Sequence, residues 1–160
     1  MEFVTAVRNE WRKDMRLLVA LDLSEPTELI VKKAEELAKE MSAQVWILHN
    51  AMPEPDVIEF RADPQTARDS LAEKFHREHR QIQEIAKRLR KEGLEATALL
   101  VHGPTVEVIL KEASDLDVDM IVAGSHGRSA AYRLLVGSVS EGLLRKSRCP
   151  VLIVPTHESA

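Results

Sequence analysis

Cysteine, aromatic side chains and long apolar runs are scarce in this sequence, and each shortage excludes a class of protein. The single cysteine, Cys149, cannot form an internal disulfide, which excludes a disulfide-stabilised scaffold. Aromatic residues make up only 4% of the chain and the net charge is -4, so neither stacking rings nor a basic field is available for nucleic acid. No run approaches the roughly 18 apolar residues of a membrane helix, and residues 1–14 contain no apolar segment typical of a signal peptide. We therefore expect a cytoplasmic protein with no membrane and no nucleic-acid partner.

What the sequence does contain is the composition of one globular domain. Hydrophobic residues account for 44% and charged residues for 30% of 160 residues, a length near the commonest domain size. A chain of this composition can bury a sizeable core, which argues against disorder.

Short aliphatic runs alternate with longer amphipathic stretches through residues 16–160. This alternation is typical of strand-helix-strand units around a parallel sheet. The first run is continuously apolar, as expected of a parallel strand that is covered on both faces. We therefore predict an α/β fold, with an open parallel five-stranded sheet and helices on both faces. The predicted strands are Leu17–Leu21, Gln44–Asn50, Glu95–Val101, Met120–Ala123 and Pro150–Pro155.

Polar residues and one glycine mark the predicted ends of the intervening helices. Ser24, Thr105 and Ser138 each stand where an N-cap is expected, and Ser138 also begins an S-x-x-E capping pattern. Gly93 suits the left-handed position that follows the second helix.

Two segments fall outside the alternation. In residues 1–15, Phe3, Val7 and Trp11 recur every four positions, which predicts a short amphipathic helix as an N-terminal extension. This extension is either a docked or frayed terminus or an arm that binds a partner. Three prolines in residues 51–65 predict a loop after the second strand, long enough to form a lid.

A glycine pattern follows the fourth predicted strand and carries the clearest functional signal. Gly124, Gly127 and Gly137-Ser138 form the spacing G-x2-G-x9-G-S. Glycines lack a Cβ, so backbone N–H groups can approach a ribose or phosphate closely, and positive φ is tolerated. The third glycine precedes a helix whose free N–H groups and dipole favour an anion. The pattern predicts a phosphate-binding site.

The same stretch resembles a known family. IVAGSHGRSAAYRLLVGSVSEGLLRKSRCPVLIVP is similar to the C-terminal signature of the universal stress protein family, in its ATP-binding branch. LLVALDLSEPTELIVKKAEELA resembles the family's opening strand and helix, and WILHN its second strand. VHGPTVEVILKEASDLDVDMIVAGSHGR resembles the third and fourth units, so the resemblance runs from about Arg16 to Pro155.

The resemblance implies a Rossmann-like nucleotide-binding fold with strand order 3-2-1-4-5 and ATP across the gap between strands one and four. It also implies a homodimer that pairs through the C-terminal strand, residues 150–155. Mg²⁺ would accompany the triphosphate, because it prefers phosphate oxygens and water as ligands. The nucleotide-binding residues that the resemblance implies are Ala20, Leu21, Asp22, Asn50, Ala123, Gly124, His126, Gly127, Arg128, Gly137, Ser138, Val139 and Ser140.

By the same resemblance, these residues divide between the parts of the nucleotide. Residues 20–22 would lie near the adenosine, residues 123–124 near the ribose, and Gly127 with residues 137–140 around the phosphates. Family members usually have a small aliphatic residue at the position of Asn50 and frequently a small polar residue at the position of Leu21. This sequence departs from the family at both positions. Both departures fall on the adenosine side of the site.

No nucleophile, base and orienting group form a recognisable catalytic set, and neither a G-x-G-x-x-G nor a Walker motif follows the first strand. His76 and His79 share a helix face without further evident ligands, so we predict no metal cluster. The favoured hypothesis is an ATP-binding regulatory protein of the stress response. It would act as a sensor or switch through dimer contacts and an unidentified downstream protein. The alternatives are a nucleotide-independent interaction or chaperone-like protein, and a slow ATP hydrolase.

Overall fold

Five strands and four helices alternate along the chain. The computed structural model describes residues 14–51, 63–125 and 137–156. The strands are β1 (Arg16–Leu21), β2 (Gln44–Asn50), β3 (Ala96–Val101), β4 (Met120–Gly124) and β5 (Val151–Val154). The helices are α1 (Thr27–Met41), α2 (Pro64–Lys91), α3 (Thr105–Asp115) and α4 (Ser138–Lys146). The predicted α/β order is confirmed, with strand bounds that differ by one residue at most.

All five strands are parallel and lie in one sheet in the order β3-β2-β1-β4-β5. This is the order that the family resemblance implied. Ala20 of β1 pairs with Leu48 of β2 on one side and with Ala123 of β4 on the other. The chain leaves β1 toward β2, whereas β4 and β5 lie on the opposite side. The strand order therefore reverses between β1 and β4, which is the position at which open parallel sheets bind ligands. We call the carboxyl ends of these two strands, with the residues that follow them, the crevice.

The helices cover both faces of the sheet and create two apolar layers. Leu17 and Val19 of β1 are fully buried in the layer with α1 and α2. Leu18 is fully buried in the other layer, with α3 and α4. Full burial of such a side chain contributes about 1.5–3 kcal/mol, so the central strand is held from both sides. The crevice thus lies at the edge of a well-packed sheet.

The helices do not begin at the predicted capping residues. The observed N-caps are Pro26, Pro104 and Gly137, without a side-chain cap hydrogen bond. Ser24 lies two residues before its observed cap, and its hydroxyl donates to Asp22 Oδ1 instead. Thr105 and Ser138 are the first helical residues, one position too late to cap. The three N-cap predictions are therefore wrong, because local partners and turn geometry outweigh the capping preference.

Other predicted boundaries are confirmed or corrected by the structure. Gly93 has φ of +88°, the left-handed conformation expected after α2. Pro64 is the first residue of α2 rather than part of the loop, which suits a residue without a backbone N–H. The predicted N-terminal helix and most of the predicted 51–65 loop lie outside the described residues. Among the helices described, none is long and apolar enough to cross a membrane.

Candidate functional site

The carboxyl end of β1 forms one wall of the crevice. Asp22 follows the last residue of β1, and its Oδ1 accepts hydrogen bonds from the Ser24 N–H at 3.0 Å and the Ser24 hydroxyl at 2.5 Å. Leu23, between them, has φ of +59°. A left-handed leucine costs roughly 1–2 kcal/mol, which these hydrogen bonds offset. The turn holds the half-buried Asp22 carboxylate beside the start of α1.

Ser125 organises the opposite wall, at the carboxyl end of β4. Its N–H donates to the Val154 carbonyl at 2.8 Å, and its carbonyl accepts from the Gly137 N–H at 2.6 Å. Its hydroxyl oxygen accepts from the Thr156 N–H at 3.0 Å and lies 3.1 Å from the Thr156 hydroxyl. Ser125 is only 4% exposed, so these bonds form in a region of low dielectric constant, where they are stronger. One buried serine therefore joins β4, β5 and the start of α4.

A second buried serine fixes the first turn of α4. The Ser140 hydroxyl donates to the Gly124 carbonyl at 2.6 Å, and Ser140 is 4% exposed. The Gly137 carbonyl accepts the first helical bond, from the Glu141 N–H at 2.9 Å. The N–H groups of residues 138–140 make no backbone hydrogen bond to any other described residue outside the helix. They present free donors and the positive end of the helix dipole, an arrangement suited to an anion.

The structure brings together three of the predicted groups of site residues. Residues 20–22, 123–124 and 137–140 meet where β1 and β4 end side by side and α4 begins. Leu21 and Ala123 are 5% and 4% exposed, so these two residues offer mainly backbone groups to the crevice. Val139 packs against the layer with α3 and α4, whereas Ser138 is exposed. His126, Gly127 and Arg128 lie outside the described residues.

Gly124 contributes to the crevice through its backbone, in an ordinary strand conformation. It is the last residue of β4, and its φ is not positive. Gly137 has φ of -70°. The contribution of Gly124 is the carbonyl group that anchors Ser140.

Asn50 lies one strand away, at the end of β2. Its Nδ2 donates to the Gly103 carbonyl and to the Thr105 hydroxyl oxygen, both at 2.8 Å. The Oδ1 atom is buried and makes no hydrogen bond within the described ranges. Gly103 has φ of +133°, a conformation that L side chains rarely adopt. Asn50 therefore braces the turn between β3 and α3.

Two further residues matter for the crevice, although sequence reasoning did not assign them to the nucleotide site. Ser125 lies inside the glycine pattern, and its hydroxyl contacts Thr156 beyond the end of β5. The sequence does not show this contact. The position of His49 at a strand end predicted either a satisfied polar residue or a ligand. His49 is the last but one residue of β2 and is 4% exposed, and its Nδ1 lies 2.8 Å from the Leu21 carbonyl. A histidine in a mostly apolar strand was the available signal in the sequence. The sequence could not identify its partners, because they come from distant parts of the chain.

The donor set of the crevice fits a phosphate better than a metal ion. In residues 14–51, 63–125 and 137–156, no three His, Cys, Asp or Glu side chains come close enough to hold a metal. Free N–H groups of α4 and one carboxylate, Asp22, are what the described residues supply. Such groups bind and orient a polyanion, with any Mg²⁺ held through phosphate oxygens and water.

Comparisons with known proteins agree with this architecture. The chain is 31% identical over 144 residues to universal stress protein YxiE of Bacillus subtilis, covering 87% of this chain and 97% of that protein. It is 28% identical over 156 residues to universal stress protein MJ0577 of Methanocaldococcus jannaschii, covering 90% of this chain and 96% of that protein. The solved structure of MJ0577 superposes with a TM-score of 0.76 and covers 91% of this chain and 98% of that one.

A universal stress protein from Archaeoglobus fulgidus, solved in complex with dAMP, shares the fold. Its TM-score is 0.57 at 22% identity, and the match covers 87% of this chain and 96% of that one. The sequence model of the universal stress protein family matches residues 15–155, nearly the whole chain. The chain therefore belongs to the universal stress protein family.

Proposed function

We propose that this protein binds ATP, or another adenine nucleotide, across the carboxyl ends of β1 and β4. The observation that carries the proposal is the first turn of α4, whose free N–H groups are held at the end of β4 by the buried Ser140 hydroxyl. The A. fulgidus relative in complex with dAMP supports an adenine nucleotide as the ligand class.

In this proposal the phosphates lie at the start of α4. The N–H groups of residues 138–140 donate to phosphate oxygens, and His126, Gly127 and Arg128 supply further contacts. The adenosine lies toward residues 20–22 and Asn50, and the ribose toward residues 123–124. Mg²⁺ accompanies the phosphates and neutralises their charge.

The biological role that fits is regulation in the cytoplasm. Nucleotide occupancy would alter the loops at the crevice and thereby change association with a partner protein. Domain boundaries follow the same proposal, with an extension over residues 1–15 and a nucleotide-binding domain over residues 16–160.

We include a homodimer through β5 in the proposal. Among the described residues β5 pairs only with β4, so its other edge is open to a second chain. Pro150 and Pro155 flank the strand and would limit the pairing to its few apolar residues. Light scattering during size exclusion should give twice the monomer mass of 18.0 kDa. A monomer at micromolar concentration would contradict this part.

The experiment for the nucleotide site is a charge change at Ser138. Ser138→Asp puts a carboxylate in the first turn of α4, where it favours the helix dipole but repels phosphate. We expect ATP affinity, measured by calorimetry, to fall about tenfold or more while the melting temperature is kept or raised. Ser138→Asn is the neutral control of matched size and should bind nearly as wild type. Equal ATP affinity of the Asp and Asn variants would refute phosphate binding at α4.

The same preparation separates the rival functions. Chromatography of the denatured protein identifies any nucleotide that copurifies, and a turnover assay with Mg²⁺ measures hydrolysis. A protein that neither retains nor binds adenine nucleotides would support the nucleotide-independent interaction or chaperone-like role. Multiple turnovers that Ser138→Asp abolishes would indicate a hydrolase.

A further inference from the structure

A groove outside the crevice runs along the seam between α1 and α2. It measures about 800 Å³ and is lined by the turn at Leu23, the start of α1 and the C-terminal half of α2. Its apolar lining residues are the half-buried Leu23 and Ile85, which is 7% exposed. A ligand in the groove could therefore place an apolar side chain against these two residues.

The α2 wall of this groove is basic although the whole chain is acidic. Helix α2 contains eight lysine or arginine residues and four acidic ones, in a chain of net charge -4. The charged residues on the groove side of α2 recur every three or four positions, so they share one helix face. They are Arg77, Arg80, Glu84, Lys87, Arg88 and Lys91.

Part of this charge is already paired and part is not. Arg88 lies 2.8 Å from Glu28 of α1, and Lys87 lies 3.8 Å from Glu84. Arg77, Arg80 and Lys91 are exposed, and no carboxylate of the described residues lies within 4 Å of them. Three cations therefore remain available to a ligand along the groove.

Length and charge pattern together select the class of ligand. Residues 77 and 91 are separated by about 21 Å along a helix, a distance that an extended chain of about six residues spans. Glu25, Glu28 and Glu84 also line the groove and would repel a uniformly charged polyanion. A peptide can place its carboxylates on the three free cations, and an apolar side chain on Leu23 and Ile85.

We propose that the α1–α2 groove docks an extended acidic segment of a partner protein. The groove shares the turn at Leu23 and Ser24 with the crevice, but its residues on α2 take no part in the crevice, so peptide binding can be measured without nucleotide. The expected partner segment is one in which acidic and apolar residues alternate.

The test uses a fluorescein-labelled peptide that repeats Asp-Leu-Glu, and the full chain. Anisotropy should show binding at about 50 mM salt that weakens at about 200 mM, because screening reduces contacts between exposed charges. A peptide that repeats Asn-Leu-Gln should not bind. In ¹⁵N NMR spectra, the acidic peptide should shift amide signals of residues 77–91 and leave those of residues 138–140 unchanged.

Two variants of equal charge change separate the groove from general electrostatics. Arg77→Glu/Arg80→Glu should weaken peptide binding about tenfold or more, since it reverses two free cations. The control pair Arg68→Glu/Arg90→Glu lies on α2 outside the groove lining and should weaken it less than about threefold. Should the Arg90 change impair folding by removing its bond to the Ala96 carbonyl, Arg68→Glu alone is compared with Arg80→Glu.

Three results would overturn the proposal. These are no binding of the acidic peptide, equal losses in the groove and control variants, or tighter binding of inorganic polyphosphate or single-stranded DNA than of the peptide. The last result would assign the groove to a uniform polyanion.

Discussion

His49 of β2 links the end of β1 to helix α2 through the two nitrogens of its ring. Nδ1 lies 2.8 Å from the Leu21 carbonyl, and since a carbonyl can only accept, Nδ1 carries the proton. Nε2 lies 3.3 Å from Glu78 Oε2, without the alignment of a hydrogen bond. Both residues are at most 5% exposed, and Lys74 Nζ lies 3.8 Å from Glu78 Oε1. A buried polar pair therefore ties α2 to the strand end beside Asp22.

Removal of one member of this pair should destabilise the protein. Glu78→Ala removes the contacts of its carboxylate with His49 and Lys74, and we expect the free energy of unfolding to fall by about 1–3 kcal/mol in urea titrations. Glu73→Ala, at an exposed position of the same helix, should change it by less than about 0.5 kcal/mol.

The double variant His49→Phe/Glu78→Leu distinguishes a polar pair from simple packing. Replacing both members by apolar residues removes the desolvation cost, so the double variant should be more stable than Glu78→Ala. If the loss of unfolding free energy in the double variant equalled the sum of the losses in His49→Phe and Glu78→Leu, the two residues would not be energetically coupled.

The start of α4 offers a direct comparison of two serines. Ser140→Ala removes the buried hydrogen bond to the Gly124 carbonyl and should cost about 1–3 kcal/mol of stability, because that carbonyl loses its donor. Ser138→Ala should cost less than about 0.5 kcal/mol, because Ser138 is exposed and makes no cap bond. The capping pattern read from the sequence predicts the opposite ranking. Thermal melts of the two variants decide between them.

The same two serine variants can also be compared by their affinity for ATP. If Ser140 holds the N–H groups of α4 in place, Ser140→Ala should weaken ATP binding and Ser138→Ala should not. Equal affinity in both variants would mean that the hydroxyl of Ser140 has no influence on the proposed phosphate site.

Apolar periodicity was sufficient to predict the order of strands and helices in this chain. Runs such as Leu17–Leu21 are covered on both faces, and their pattern depends only on neighbouring residues. The strand order came from the family resemblance, because pairing between β1 and β4 joins residues about a hundred positions apart. Local sequence patterns do not predict which distant strands pair with each other.

The side-chain contacts of the site were less accessible to sequence reasoning. Ser24, Thr105 and Ser138 were each predicted to cap a helix, yet two of them have hydroxyl partners outside the helix start. Ser125, His49 and Ser140 obtain their partners from elements 16 to 31 residues away. Burial makes those bonds valuable, and burial is a property of the assembled fold.

Asn50 should behave as a brace rather than as a free polar group. Asn50→Ala removes both Nδ2 hydrogen bonds and should lower the free energy of unfolding by about 1–3 kcal/mol. Asn50→Asp should cost more than Asn50→Ala, because it sets a carboxylate oxygen against the Gly103 carbonyl. Thr105→Val, which removes only one partner, serves as the partial control. A carboxylate variant as stable as wild type would contradict the assigned amide orientation.

Gly142 of α4 lies against Val106 of α3, and a side chain at this position would force the valine to shift. A Cβ at this position would lie 2.7 Å from Val106 Cγ2 and 3.3 Å from Val106 Cγ1. Gly142→Ala gains about 1 kcal/mol of helix propensity, whereas overpacking costs about 1–3 kcal/mol, so we expect a net loss of stability. Val106→Ala removes both Cγ atoms and leaves the added methyl group 3.5 Å from Val106 Cβ. In a double-mutant cycle the two changes should therefore be coupled favourably by about 1 kcal/mol or more. Additive losses in urea titrations would show that the contact with Val106 is not what destabilises Gly142→Ala.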